Sequence, residues 1–209
     1  EIYKPKTKRV DKTVRILWTT TAHHKHDFPI VEHALSEVAR KYPHVKVVVW
    51  GFITERLNKM IPKDQLEYYG WVPIESYYKC LAGMEADIGI APLEIDSIYN
   101  RAKTNLKWLE YGLMKYAPIV SDCLPYSECV EDGQTGLVVR KNKHVKWKDA
   151  LCKLIEDRNL RKRLADNAHK YVLKYHSDDR IRDYMRIYEE IYGTWKSTTQ
   201  ETKENKNLG

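Results

Sequence analysis

The 209-residue sequence predicts an α/β domain built on a doubly wound, mostly parallel sheet and closed by C-terminal helices. Three observations lead there. Short apolar, β-branched runs alternate with segments of helical period about six times between residues 14 and 140. VKVVVWG is apolar almost without a break, as strands covered on both faces are, and VRILWTT is short, apolar and β-branched like a buried strand. Beyond residue 145 only the helical period remains.

Residues 1–13 are basic and irregular and read as an entry linker without the apolar core of a signal peptide. The main domain is expected over 14–175. The first strand is 14–20, followed by the polar loop TAHHKHD. A helix follows, with Phe28, Ile30, Val31, Ala34, Leu35 and Val38 along one side. The second strand is 45–51. A short helix then leads into LEYYGWV at 66–72, the third strand. A helix reads from IESYYKCLAGM and a fourth strand from ADIGIAPL, 86–93. Next come a helix at about 103–116, a strand at 117–122, a turn-rich piece and a last strand at 135–140. Alternation of this kind implies right-handed crossovers and a Rossmann-like sheet. Two amphipathic helices cover 145–175. A further helix is expected at 176–194, and the polar tail 195–209 is expected to be disordered.

Bulk properties narrow the function. Apolar residues make up 43%, enough for a core. A net charge of +7 suits an anionic partner, whether phosphates, nucleic acid or a membrane surface. No run approaches the ~20 apolar residues of a membrane span. Cys80, Cys123, Cys129 and Cys152 form no C-x-x-C pair, which argues against zinc and a disulfide framework and for a reducing, cytoplasmic setting. Lys and Arg are spread widely with no recognition motif, so nucleic acid is not expected as a partner.

In an open parallel sheet, ligands bind beyond the carboxyl ends of the strands. Three loops there carry candidates. The first, after the first strand, holds Thr21, His23, His24, Lys25 and His26. A phosphate-contacting or substrate-polarising loop, with Thr21 and Lys25 as candidates, is the functional reading; a solvated polar loop is the plain one. Histidines without Cys or carboxylate partners at ligand spacing make a poor zinc site. The second runs from Asp96 to Glu110. A helix starting near Lys103 or Thr104 would offer free N–H groups and a positive dipole to an anion. Lys103 and Glu110, seven residues apart, would then share a face about 10 Å apart along the axis. That suits a ligand with a diphosphate end, met by Lys103 or Thr104, and a hydroxylated end, met by Glu110. A surface helix with ordinary Lys and Glu is the alternative. Yet Glu110 stands between Leu109 and Tyr111, and a lone buried charge needs a partner. The third loop, SDCLPYSECVEDG, reads as a Pro-led turn into a short helix. From it Tyr126 and Glu128 would reach the ligand, unless Glu128 merely decorates that helix. Gly70-Trp71-Val72 closes the third strand, where backbone groups can read a nucleobase edge and an aromatic can pack on it. No G-x-G-x-x-G or P-loop is present, which disfavours a dehydrogenase or a P-loop NTPase. Asp178-Asp179 and Glu94-x-Asp96 are weak candidates for a metal–diphosphate pair, so no metal is expected.

Taken in order, the frames GWVPIESYYKCLAGMEADIGIAPL and NRAKTNLKWLEYGLMKYAPIVSDCLPYSECVEDGQTGLVV resemble the C-terminal, donor-binding domain of GT-B-fold glycosyltransferases. The similarity is to the retaining group 1, or family 4-like, class, and covers about Val14 to Val139. Asp87, Pro92, Glu110, Pro118, Val120, Glu128, Asp132, Gly133, Gly136 and Leu137 fall where that pattern wants them. The resemblance implies that Glu110 is the second Glu of an E-x7-E motif and holds the donor ribose. The first Glu would be residue 102, which is Ala102. A subset of the class resembles this chain more closely, with Asn-x-x-Lys-[Ser/Thr] in that place. Lys103 would then neutralise the diphosphate in the manner of a metal ion.

The reading is a hexosyltransferase-type domain that takes a nucleotide-diphosphate sugar as donor substrate, without a cofactor. The acceptor half is an N-terminal domain or separate partner chain, toward which the 176–194 helix would pack. The domain alone is expected to bind donor and transfer nothing. No catalytic residue is named. The expected place is the cytoplasm, with the cytoplasmic membrane face as a peripheral contact. A non-catalytic scaffold, favoured by the missing first Glu, and half of a sugar-nucleotide epimerase are the alternatives.

Overall fold

The computed structural model describes residues 12–174, 182 and 185–190. The expected linker, nearly all of it, and the 195–209 tail lie outside these residues. So does most of the 176–194 helix, of which residues 182 and 185–190 are helical. The chain divides into two compact units, 1–172 and 173–209.

The first unit holds six strands, β1 (Val14–Thr19), β2 (Val45–Trp50), β3 (Leu66–Tyr69), β4 (Ile88–Ala91), β5 (Ala117–Ser121) and β6 (Leu137–Val139). They form one parallel sheet in the order β3-β2-β1-β4-β5-β6. The doubly wound α/β fold is therefore present, with its switch point between β1 and β4, the neighbours whose connections run to opposite sides.

Strand alternation divides the core into two layers. Ile16 and Trp18 of β1 pack with Val31 and Leu35 of α1 (Phe28–Lys41), Trp147 and Leu151 of α6 (His144–Glu156), and Leu164 of α7 (Arg158–Leu173). Leu17 between them faces the other way. It packs with Leu81 of α3 (Ile74–Gly83) and with Trp108 and Tyr111 of α5 (Leu106–Leu113). Two short helices complete the unit. Thr54 caps α2 (Glu55–Met60) by accepting from Leu57 N, and Ser97 caps α4 (Ile98–Arg101) by accepting from Asn100 N.

Two local expectations are corrected. The helix expected at 103–116 is α5, which starts at Leu106 after Asn105. Lys103 and Thr104 lie in the turn between α4 and α5, because Ser97 starts a separate helix upstream. They are not a first helical turn, and Lys103 does not share a helix with Glu110. The expected helix in SDCLPYSECVEDG is a succession of turns instead.

Candidate functional site

The loops after β1 and β4 meet beyond the carboxyl ends of those strands, and one carboxylate joins them. Asp27 is 1% exposed and stands at the N-terminus of α1 without capping it. Its Oδ1 accepts from Glu94 N at 2.8 Å and from Asn100 Nδ2 at 3.2 Å. Its Oδ2 lies 2.7 Å from His24 Nδ1 and 3.9 Å from Lys103 Nζ. Lys103 Nζ is buried, makes no hydrogen bond, and stands 5.0 Å from the centroid of the Tyr99 ring. Burial lowers its pKa, against the pull of Asp27 and Cys123.

Lys107, in the first turn of α5, reaches the same place. Its Nζ donates to Thr19 O at 2.7 Å and stands 3.2 Å from His24 Nε2. The stem of this side chain is partly exposed, but its ammonium end is enclosed. Desolvation lowers its pKa to about 8, partly offset by Glu110 and Asp27. Burial also lowers the His24 pKa, against the hydrogen bond to Asp27. The neutral ring so favoured fits its neighbours: Nδ1–H donates to Asp27, and Nε2 accepts from Lys107.

Glu110 lies one turn beyond Lys107 and is 5% exposed. Tyr77 of α3 donates its hydroxyl to Oε2 at 3.1 Å, and the Tyr77 ring stacks on Trp50 at 4.8 Å. Desolvation raises the Glu110 pKa to about 6, restrained by the Tyr77 bond and by Lys107. The partner that a carboxylate between Leu109 and Tyr111 requires is therefore Tyr77, with the Lys107 charge behind it.

The other candidates are dispersed. Thr21 and Lys25 are exposed on the loop around a short 3-10 turn, Ala22–His24. Thr104 is exposed beside Lys103. Trp71 is 78% exposed and Val72 half-buried just beyond β3. Glu128 is exposed, whereas Tyr126, expected to reach the ligand, is buried in the core layer with Trp108 and Tyr111 of α5 and is closed to solvent. Asp27, Asn100, Lys107 and Tyr77 went unselected in the sequence. His24-x-x-Asp27 spacing and Lys107 three residues before Glu110 were the available signals. Among the described residues no group of three His, Cys, Asp or Glu side chains is placed to hold a metal ion. No described helix is long and apolar enough to cross a membrane.

The profile of the family "Glycosyl transferases group 1" matches residues 13–157, which takes in the whole sheet and the cluster at the switch point. The chain belongs to this family. No curated protein sequence matches it. Among solved structures, the group 1 domain resembles the Staphylococcus aureus protein TarM, solved with UDP, at 13% identity and a TM-score of 0.67, over 88% of this chain and 38% of that one. It resembles Anabaena HepE, solved with UDP and glucose, at 13% identity and a TM-score of 0.66, over 86% of this chain and 48% of HepE. It also resembles the C-terminal domain of LpcC from Francisella tularensis, at 20% identity and a TM-score of 0.61, over 83% of this chain and 95% of that domain. At these identities the likeness is one of fold. The chain spans less than half the length of TarM and HepE.

Proposed function

We propose that this domain is the donor-binding half of a glycosyltransferase and takes a nucleoside-diphosphate sugar at the β1–β4 switch point. The observation that carries the reading is Glu110. A carboxylate 5% exposed, bonded to one tyrosine and held at a raised pKa of about 6, is expensive to keep unless a ligand uses its remaining acceptor capacity. Ribose hydroxyls are donors of the right kind. Lys103, a buried cation without a hydrogen bond, is matched to the diphosphate. Its positive charge stabilises the negative charge that gathers on the diphosphate as the bond to the sugar breaks, which is the work a metal ion does elsewhere. Thr104, Thr21 and Lys25, exposed on the loops near Lys103 and Asp27, are proposed as further phosphate contacts, and Glu128 on the β5–β6 loop as a further donor contact. Trp71 and Val72, just beyond β3, are proposed as contacts for the base. No group on this domain is assigned as base toward the acceptor, which the other half is taken to supply. Family membership and the relatives solved with UDP support the reading.

The test is calorimetric titration of the chain with UDP, GDP and ADP and their sugars, repeated on Glu110→Ala. The expected result is binding of one nucleotide that falls about tenfold or more in the variant. Nucleotide binding unaffected by the substitution would overturn the assignment of Glu110. Absence of binding by every nucleotide would favour a scaffold domain.

A further inference from the structure

An aspartate at a helix N-terminus ordinarily turns its carboxylate onto the first free N–H groups of its own helix. Asp27 does not cap α1. Its two oxygens are given to four groups from three other places: His24 in its own loop, Glu94 N after β4, and Asn100 and Lys103 on and just after α4. A buried carboxylate used this way fixes the relative placement of the loops on either side of the switch point.

The chain of contacts continues through His24. Asp27 Oδ2 accepts from Nδ1–H, which leaves Nε2 with its lone pair toward Lys107 Nζ at 3.2 Å. A neutral ring thus links a carboxylate to an ammonium. We propose that Asp27 is the positioning residue of the phosphate subsite: through His24 it holds Lys107 as a charged donor, and directly it holds the Lys103 ammonium. The proposal rests on the donor-site reading above. It adds that one carboxylate governs the charge and place of both cations.

Among the described residues, the Tyr99 ring of α4 stands 5.0 Å from Lys103 Nζ, and the other titratable and charged groups facing these cations come from three places. His24 and Asp27 come from the β1–α1 loop, Glu110 from α5 and Cys123 from the loop after β5, and Lys103 and Lys107 repel one another. Asp27 is thus an opposite charge that both lysines feel. Asn at position 27 cannot replace it in either orientation. With its amide nitrogen toward His24, the ring must present Nδ1 as acceptor and carry its proton on Nε2, against the Lys107 donor. With the nitrogen the other way, it meets Glu94 N–H and the Asn100 amide, donor against donor.

The experiment uses the full chain with 13C-labelled lysine side chains, and inorganic pyrophosphate as probe. NMR titration follows Lys103 and Lys107 in wild type and Asp27→Asn with no ligand present. Calorimetry then measures pyrophosphate affinity at pH 7. Expected are lower midpoints for both lysines and a loss of pyrophosphate affinity of about tenfold or more. His24→Gln is the second variant. It keeps the Asp27 bonds to Glu94 and Asn100, and should lower the Lys107 midpoint while leaving Lys103 near its wild-type value, a split that general loosening would not produce. Unchanged lysine midpoints in a folded Asp27→Asn, or in His24→Gln where Asp27→Asn does not fold, would overturn the proposal. Because the titration needs no ligand, it stands apart from the donor-site reading. Shifted midpoints in a chain that binds no nucleotide would sink that reading and leave the network in place.

Discussion

Tyr77 and Glu110 are paired across two helices: the tyrosine hydroxyl donates to Glu110 Oε2 at 3.1 Å while its ring is stacked on Trp50. The bond favours the ionised carboxylate and so opposes the desolvation that raises Glu110 to about 6. Tyr77→Phe keeps the stacking and removes the donor. Its expected effect is a Glu110 midpoint above 6, read by NMR titration of labelled glutamate carboxyls. A midpoint that stays put would mean that the hydrogen bond does not restrain Glu110.

Glu110 should also weaken the fold that carries it. Its folded pKa lies at about 6 against 4.5 for a free side chain, so folding disfavours the ionised form. The penalty is absent below the lower value, grows between the two, and is complete above the higher, where it amounts to roughly 2 kcal/mol. Glu110→Gln keeps the shape and the Tyr77 partner and cannot ionise. It should melt several degrees above wild type at pH 7 and at the same temperature near pH 4. The same variant should bind nucleotide more weakly, which is the opposition between stability and function expected of a site residue. Equal melting temperatures at pH 7 would mean that the carboxylate is compensated.

What the sequence disclosed about this site, and what it hid, follows from the range of the interactions. Six apolar runs and their helical spacers were legible because each is a local pattern that burial enforces. Glu110 was legible because a carboxylate inside an apolar helix is a local contradiction. The Lys103 turn was not, since Ser97 and Asn105 are both plausible helix starts and tertiary packing chooses between them. LEYYGWV read as one strand because apolar and aromatic residues run through it apart from Glu67 and Gly70, yet β3 pairs with β2 only from Leu66 to Tyr69. Gly70, Trp71 and Val72 are released beyond that ladder. Asp27 closes a polar loop with nothing local but its spacing from His24 to mark it, and its role depends on Glu94 and Asn100, brought near only by the adjacency of β1 and β4.

Gly89 of β4 is fixed by the close approach of Tyr111. A Cβ at this position would lie 2.8 Å or less from three carbons of the Tyr111 ring. The ring cannot withdraw freely, because its hydroxyl donates to Ile90 O at 3.1 Å and meets Thr19 N and Oγ1. Gly89→Ala should therefore lower stability by about 1–3 kcal/mol, the usual range for overpacking a core. The measurement is a shift of the urea midpoint without a change of slope. A midpoint equal to wild type would show that the Tyr111 ring has room to move.

The strongest pH signature should come from Lys107. Its folded pKa of about 8 lies below 10.5, so for this base the charged form is the one folding disfavours. The penalty is complete below the folded value and disappears as the pH rises toward the unfolded one. Wild type should therefore gain stability between pH 8 and 10.5 relative to Lys107→Met, by at most about 3 kcal/mol, reduced by whatever water reaches the exposed stem. Urea unfolding of both proteins at pH 7.5 and 10 reads this as a difference. Titration of the buried tyrosines Tyr77, Tyr111 and Tyr126 enters both proteins and largely cancels. Parallel curves would mean that the ammonium is fully compensated by Thr19, His24 and the charges of Asp27 and Glu110. A wild-type curve rising against the variant would mean that the site keeps a strained cation below pH 8, ready to be relieved by an anion.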